Sequence, residues 1–169
     1  MKRSDIKVLA KEDILDLIDK QWMLVTAGRK DSFNTMTASW GTMGILWNKP
    51  VAIIFIRPER YTHDFIETAD VLTLSFYSEE YRNALKVCGS RSGRDCDKVA
   101  ETGLTPEILE SGTVTFSQAR LTLDCTKLFK TEMTDADFVD KSLLEKFYGE
   151  KGGMHTVYIL GIDNVYVAE

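Results

Sequence analysis

Asn34-Thr35-Met36-Thr37-Ala38-Ser39-Trp40-Gly41 and, a short interval later, Val51-Ala52-Ile53-Ile54-Phe55-Ile56-Arg57-Pro58-Glu59-Arg60-Tyr61-Thr62 are the stretches on which this chain's reading turns. The apolar, β-branched run Val51–Ile56 lies between Pro50 and Pro58, which predicts a strand buried on both faces. Arg57-Pro58 ends it, because proline cannot continue the ladder. Thr62 then reads as a helix N-cap before His63–Glu67, with Asp64 favouring the positive helix end. Asn34–Trp40 alternates in part, as a strand does. Thr37 and Ser39 share one face, and Met36, Ala38 and Trp40 the other. Upstream, Trp22–Gly28 reads as a strand and Gly28–Asp31 as its turn. The two strands form a hairpin whose connection Ser32 and Phe33 lengthen.

Further out, Glu12–Lys20 sets Ile14, Leu15, Leu17 and Ile18 on one helical stripe. Gly41–Lys49 reads as irregular. Val71–Tyr77 is a strand, and Glu79–Val87 an amphipathic helix. Cys88–Asp97 is a polar loop, and a short helix to Thr102 ends at Gly103. Val114–Leu128 holds two adjoining strands, the second being Ala119–Leu128. Lys130–Phe138 has no periodicity, Lys141–Tyr148 is a short helix, and Thr156–Ile162 and Val165–Val167 close the chain as strands. No repeat or linker-like stretch interrupts it. The expectation is one α+β domain, mainly β, over residues 1–169, built on an antiparallel barrel with short peripheral helices.

The 169 residues suffice for one well-buried domain, and the 44% apolar fraction is ordinary for a globular chain. A net charge of −5 argues against nucleic acid as a main partner while allowing a local basic pocket. Cys88, Cys96 and Cys125 show no metal-ligand spacing and no Cys-x-x-Cys. That fits reduced, idle thiols in a cytoplasm. No apolar region follows Met1-Lys2-Arg3-Ser4, so no signal peptide is expected, and no run is long enough to span a membrane.

The first stretch offers Asn, Thr and Ser groups beside an indole. The second offers two guanidinium groups, a phenol and a hydroxyl. Together they suit a flat, aromatic, phosphorylated ligand. Singly each is commonplace: Thr and Ser on one strand face usually meet solvent, and Trp40 and Trp47 suit a core or an interface. There is no Ser/His/Asp arrangement, no Gly-x-Gly-x-x-Gly and no Walker sequence.

In order and spacing the two motifs resemble those of the flavin reductase-like FMN-binding split barrels, in particular the flavoredoxin branch. That branch carries Asn-x-Met-Thr-Ala-Ser-Trp-Gly, an apolar strand, then Arg-Pro-x-Arg-Tyr-Thr. Ser92–Lys98 and Gly103-Leu104-Thr105 are similar too, and the likeness runs from about Trp22 to Val167. The resemblance implies a split β-barrel with Greek-key-like antiparallel strands. It implies FMN as cofactor, with Asn34, Met36, Thr37, Ala38, Ser39 and Trp40 along the isoalloxazine and ribityl chain. Arg57, Pro58, Arg60, Tyr61 and Thr62 would meet the phosphate. Lys98 reads either as a phosphate ligand or as part of a solvated charge cluster with Arg94, Asp95 and Asp97. His155 is a weak catalytic candidate beside a structural reading; His63 is read as a helix-surface residue. The resemblance further implies a homodimer that transfers electrons as a flavoredoxin does, or reduces flavin with NAD(P)H bound transiently, or serves a redox partner protein. The alternative is a non-catalytic flavin- or haem-binding storage or sensor module.

Overall fold

The computed structural model describes residues 1–149 and 153–169. Its principal sheet runs β3 (Ser32–Ala38), β2 (Met23–Arg29), β6 (Val71–Phe76), β9 (Leu121–Glu132), β10 (Thr156–Val167), β5 (Lys49–Ile56), β4 (Gly41–Leu46), with β1 (Lys2–Ser4) paired to β10. Every ladder in it is antiparallel. No ladder joins the edge strands β3 and β4. Yet Met36 and Ala38 of β3 share one core with Ala52 and Ile54 of β5, and Met43 of β4 packs on it. The sheet therefore rolls into a barrel split between β3 and β4. Two register shifts in the β9–β10 ladder supply the added bend a rolled sheet needs. A small hairpin, β7 (Pro106–Ile108) with β8 (Val114–Phe116), stands beside it.

Several elements differ from the sequence expectation. Gly41–Lys49 is not irregular: β4 and β5 form a hairpin through Trp47 and Asn48, both at positive φ (52° and 57°). That is the two-residue turn whose twist suits a hairpin, although a tryptophan rarely fills it. Val51–Ile56 is not buried on both faces. Ala52, Ile54 and Ile56 enter the core, whereas Ile53 and Phe55 are half-buried on the other face, as fits an antiparallel strand. The N-terminal stripe is a single turn, α1 (Ile14–Asp16), capped by Asp13 and continued as a wider turn over Leu17–Gln21. Leu17 and Ile18 are buried but Leu15 is 82% exposed. β9 continues to Glu132, because the chain from Lys127 to Glu132 pairs with β10 beyond the end of β6.

Helix boundaries shift as well. The second helix is α2 (Tyr61–Thr68), with Arg60 and not Thr62 at the N-cap. The third, α3 (Arg82–Ser90), begins after a tight turn and absorbs Cys88 and Gly89 from the expected loop. The short helix α4 (Lys98–Thr102) is capped by Asp97, which accepts from the Val99 and Ala100 amides. It ends at Gly103, whose φ of 68° favours glycine. The last helix is α5 (Lys141–Tyr148), where expected. Among the described residues, no helix is long and apolar enough to cross a membrane.

Candidate functional site

The open edge of β3 faces α3 and the start of α2, and a continuous groove lies between them. One end is a cleft of about 190 Å³ lined by Met36, Thr37, Ala38, Ser39, Trp40, Phe55, Arg57, Arg60 and His155. The other end, about 210 Å³, is lined by Glu59, Arg60, Tyr61, Thr62, Ser90, Arg91, Ser92 and Lys98. Arg60 belongs to both. Most of the sequence candidates thus converge on one feature. Pro58 does not: it is exposed and outside the groove lining.

The two motifs are joined by a buried contact. Asn34 Nδ2 donates to Thr62 Oγ1 at 2.7 Å, and both side chains are buried. Asn34 therefore acts on the groove through Thr62, not by lining it. Glycine is required at position 93, where any Cβ would collide with Asn34 Oδ1. Met36 and Ala38 pack into the barrel core, so what they offer the cleft is chiefly backbone. β3 has a strand neighbour on one side only, and on its outer edge the Thr35 carbonyl is taken by Lys98. Thr37 donates to the Leu85 carbonyl at 2.5 Å, tying β3 to α3. Trp40 is 43% exposed at the cleft mouth.

At the other end, Arg60 donates from Nη2 to the Gly89 carbonyl at 2.8 Å. No side chain caps α2; the His63 amide donates to the Arg60 carbonyl at 2.8 Å, which leaves the Tyr61 and Thr62 amides for an anion. Lys98, 6% exposed, donates to the carbonyls of Thr35 (2.7 Å) and Cys88 (3.0 Å). It is thus not part of a solvated charge cluster. Arg94 instead pairs with Asp64 (2.6 Å) and lies over the Tyr61 ring, while Asp97 caps α4. Among the described residues neither Arg60 nor Lys98 forms an ion pair. Burial lowers the pKa of both, and for Lys98 the neighbouring Arg60 adds to that. Lys98 is thus a buried cation and Arg60 a half-buried one, neither with a carboxylate partner among the described residues, and a buried cation without a carboxylate is costly.

The cleft end is aromatic, with Arg57 and Arg60 in its lining. Burial, with Arg57 beside it, lowers the His155 pKa from 6.5 to about 4, against the opposing pull of Glu59. His155 is therefore an uncharged imidazole at neutral pH. Its ring lies 5.3 Å from Trp40 and 6.5 Å from Phe55, centroid to centroid. Trp40 also meets Phe147 edge-on at 5.4 Å. Arg57 donates to the Phe147 carbonyl at 2.8 Å. His63 is more than a surface residue: its Nε2 bonds Thr156 Oγ1 (3.2 Å). The sequence reading missed Phe55, Phe147 and Tyr148, which carry no motif and are brought in by the β5 face and the α5 end. Ser90 and Ser92 lay in the stretch read as a polar loop.

Burial pushes the Cys88 thiol up to about 11 and Cys125 well above its usual value. Both are buried, while Cys96 is half-buried and donates to the Ser92 carbonyl. Among the described residues no cluster of His, Cys, Asp and Glu suits a metal ion.

Solved structures share this fold. A flavoredoxin from Methanosarcina acetivorans superposes with a TM-score of 0.69 at 17% identity, over 88% of this chain and 69% of that one. The flavoredoxin of Desulfovibrio vulgaris (Miyazaki F) gives 0.67 at 23% identity, over 88% and 69%. The styrene monooxygenase flavin reductase of Pseudomonas putida S12 gives 0.64 at 15%, over 88% and 80%. At these identities the likeness is one of fold, the split barrel. No curated protein matches the chain in sequence. The model of the flavin reductase like domain matches residues 16–169, and the chain belongs to the flavin reductase-like family.

Proposed function

We propose that the groove holds FMN, its phosphate at Arg60, Thr62, Lys98 and the start of α2, its ring system along Met36–Trp40 towards His155. The observation that carries this reading is the pair Arg60 and Lys98: two cations held by carbonyls alone, beside free helix amides. A phosphate supplies the missing charge and accepts from all of them. Flavin-linked redox chemistry is the family's province, and neighbours include an FMN-binding protein from Thermus thermophilus and an NADH:FAD oxidoreductase of Streptomyces globisporus C-1027.

When bound, the flavin supplies the hydride and electron chemistry, so no protein acid–base pair is needed. The chain's residues bind and orient. The outer edge of β3 and the unengaged Ser39 hydroxyl meet the polar rim of the ring. Trp40 and Phe55 wall the cleft and limit water. Within this reading the protein is an electron carrier of the flavoredoxin type or a reductase taking electrons from NAD(P)H. The chain is read as one domain, acting as a homodimer in which Trp40, Ile45 and Trp47, exposed around the split, meet a second copy.

Titration of the protein with FMN and with riboflavin, followed by flavin fluorescence, tests the site. FMN binds more tightly on this reading, and equal affinities would remove the phosphate assignment. Stopped-flow bleaching of the bound flavin by NADH, NADPH or a reduced partner protein then identifies the donor.

A further inference from the structure

The cleft end contains a contact that flavin binding alone does not call for. His155 stands just before β10, its backbone pinned where its carbonyl accepts from the Met133 amide at 3.0 Å. Its Nδ1 lies 2.7 Å from the hydroxyl of Tyr148, at the last turn of α5. Its Nε2 has no hydrogen bond to a described residue. The residue is only 6% exposed, and it is among those that line the cleft.

We propose that Tyr148 is a positioning residue: by donating its hydroxyl to Nδ1 it keeps the imidazole proton on Nε2, so that His155 presents a neutral N–H donor to a carbonyl or ring-nitrogen acceptor of the ligand beside Trp40. The alternative polarity has the Tyr148 hydroxyl aimed at Met133 Sδ, with Nδ1–H donating to the phenol oxygen. Met133 Sδ lies 3.9 Å away, and a thioether is a weak acceptor. An imidazole nitrogen at 2.7 Å is much the better partner. The charged groups facing the ring agree. Arg57, from the end of β5, opposes a proton on it, and Glu59 is already engaged by the Gly153 amide. From α5, Tyr148 brings a phenol whose pKa burial raises, so it stays a donor. Trp40 and Phe55 bring no charge.

The α5 helix is thereby part of the site. It has no buried residue of its own. Its C-terminal end is held by contacts to cleft residues: Phe147 on Trp40, the Phe147 carbonyl on Arg57, the Tyr148 ring under the Arg57 guanidinium, and the Tyr148 hydroxyl on His155. Nothing in the contact with His155 depends on the flavin reading. That reading supplies only the acceptor.

The chain has two histidines, so nitrogen-15 NMR of the imidazole rings, assigned with H63N, reads the tautomer directly in protein without flavin. The expected result is the Nε2–H pattern for His155 at neutral pH. In Y148F the pattern moves towards a tautomer mixture, because the neutral ring loses the donor to Nδ1. The His63 resonances report that the variant is folded. An Nδ1–H tautomer in the wild-type chain, or an unchanged tautomer in Y148F, overturns the proposal. Ligand consequences come second. Weaker FMN binding in Y148F, by about three- to tenfold as for one neutral hydrogen bond, places the acceptor on the flavin. Unchanged FMN binding with a KM for NADH raised by a similar factor places it on the reductant. If neither changes, His155 donates to no ligand and the proposal falls. Failure of FMN to bind the wild-type chain would refute the flavin reading and leave the tautomer measurement standing.

Discussion

Replacing Arg60 with alanine isolates the phosphate contribution from the rest of the groove. In the structure the guanidinium spends one N–H on the Gly89 carbonyl (2.8 Å) and stands where both ends of the groove meet. A guanidinium has five N–H donors, so several remain for an anion. Losing one charge-assisted hydrogen bond costs about 1.5–3 kcal/mol, or roughly ten- to a hundredfold in Kd. Stability should suffer less. The lost bond to Gly89 is worth about 1 kcal/mol, or about 2–4 °C in Tm for a domain of this size. No buried charge is stranded, since the charge leaves with the side chain. The assay is a fluorescence titration of wild type and R60A with FMN and with riboflavin, alongside thermal melts. The loss should be large for FMN and nearly absent for riboflavin, which lacks the phosphate. An R60A protein with normal FMN affinity, or one that loses both flavins equally, would refute the placement of the phosphate at Arg60.

Stability should fall on the acid side because of His155. Its folded pKa is about 4 against 6.5 ordinarily, so between those values the unfolded chain binds a proton that the folded chain refuses. Stability contributed by the neutral ring is full above 6.5 and is lost as pH falls towards 4. Urea midpoints for wild type and H155N at pH 7.5 and 5 should show the variant with the shallower acid loss, and parallel losses would contradict the assignment. The thiols should be dispensable: C88A/C96S should keep its flavin and its electron-transfer rate, since burial holds Cys88 at about 11 and leaves it scarcely ionised at neutral pH. A large rate loss with flavin still bound would reveal a thiol relay. Ile45 is 75% exposed and Trp47 meets the exposed Phe129 edge-on (6.4 Å), more apolar surface than a monomer needs. Sedimentation should show a dimer that FMN strengthens and that I45E/W47E weakens; a wild-type monomer with and without FMN would sink the interface.

What could be read from the sequence was what a local pattern encodes. Strand periodicity placed β2, β3, β5, β6 and β10 within a few residues, and the two motifs carried the family. What escaped was set by partners distant in sequence. Gly41–Lys49 looks irregular because two glycines break its pattern, yet edge pairing with β5 makes it a strand. The bond from Asn34 to Thr62 is a buried brace between positions 28 apart, which no local pattern encodes. Lys98 is the instructive case. Beside Arg94, Asp95 and Asp97 it reads as one more surface charge. Its ammonium group is carried inward because Asp97 caps α4 and so orients the helix's first turn. There the carbonyls of Thr35 and Cys88 hold it without neutralising it. A chain with net charge −5 has carboxylates enough to pair such a lysine, and among the described residues the hydrogen-bond partners of Arg60 and Lys98 are nevertheless neutral carbonyls. Folding alone does not favour that arrangement. It becomes favourable when an anion completes it, and so Lys98→Met should raise stability in the free protein while weakening FMN more than riboflavin. A destabilised K98M protein with unaltered preference for FMN would show that the lysine serves the fold and not the ligand.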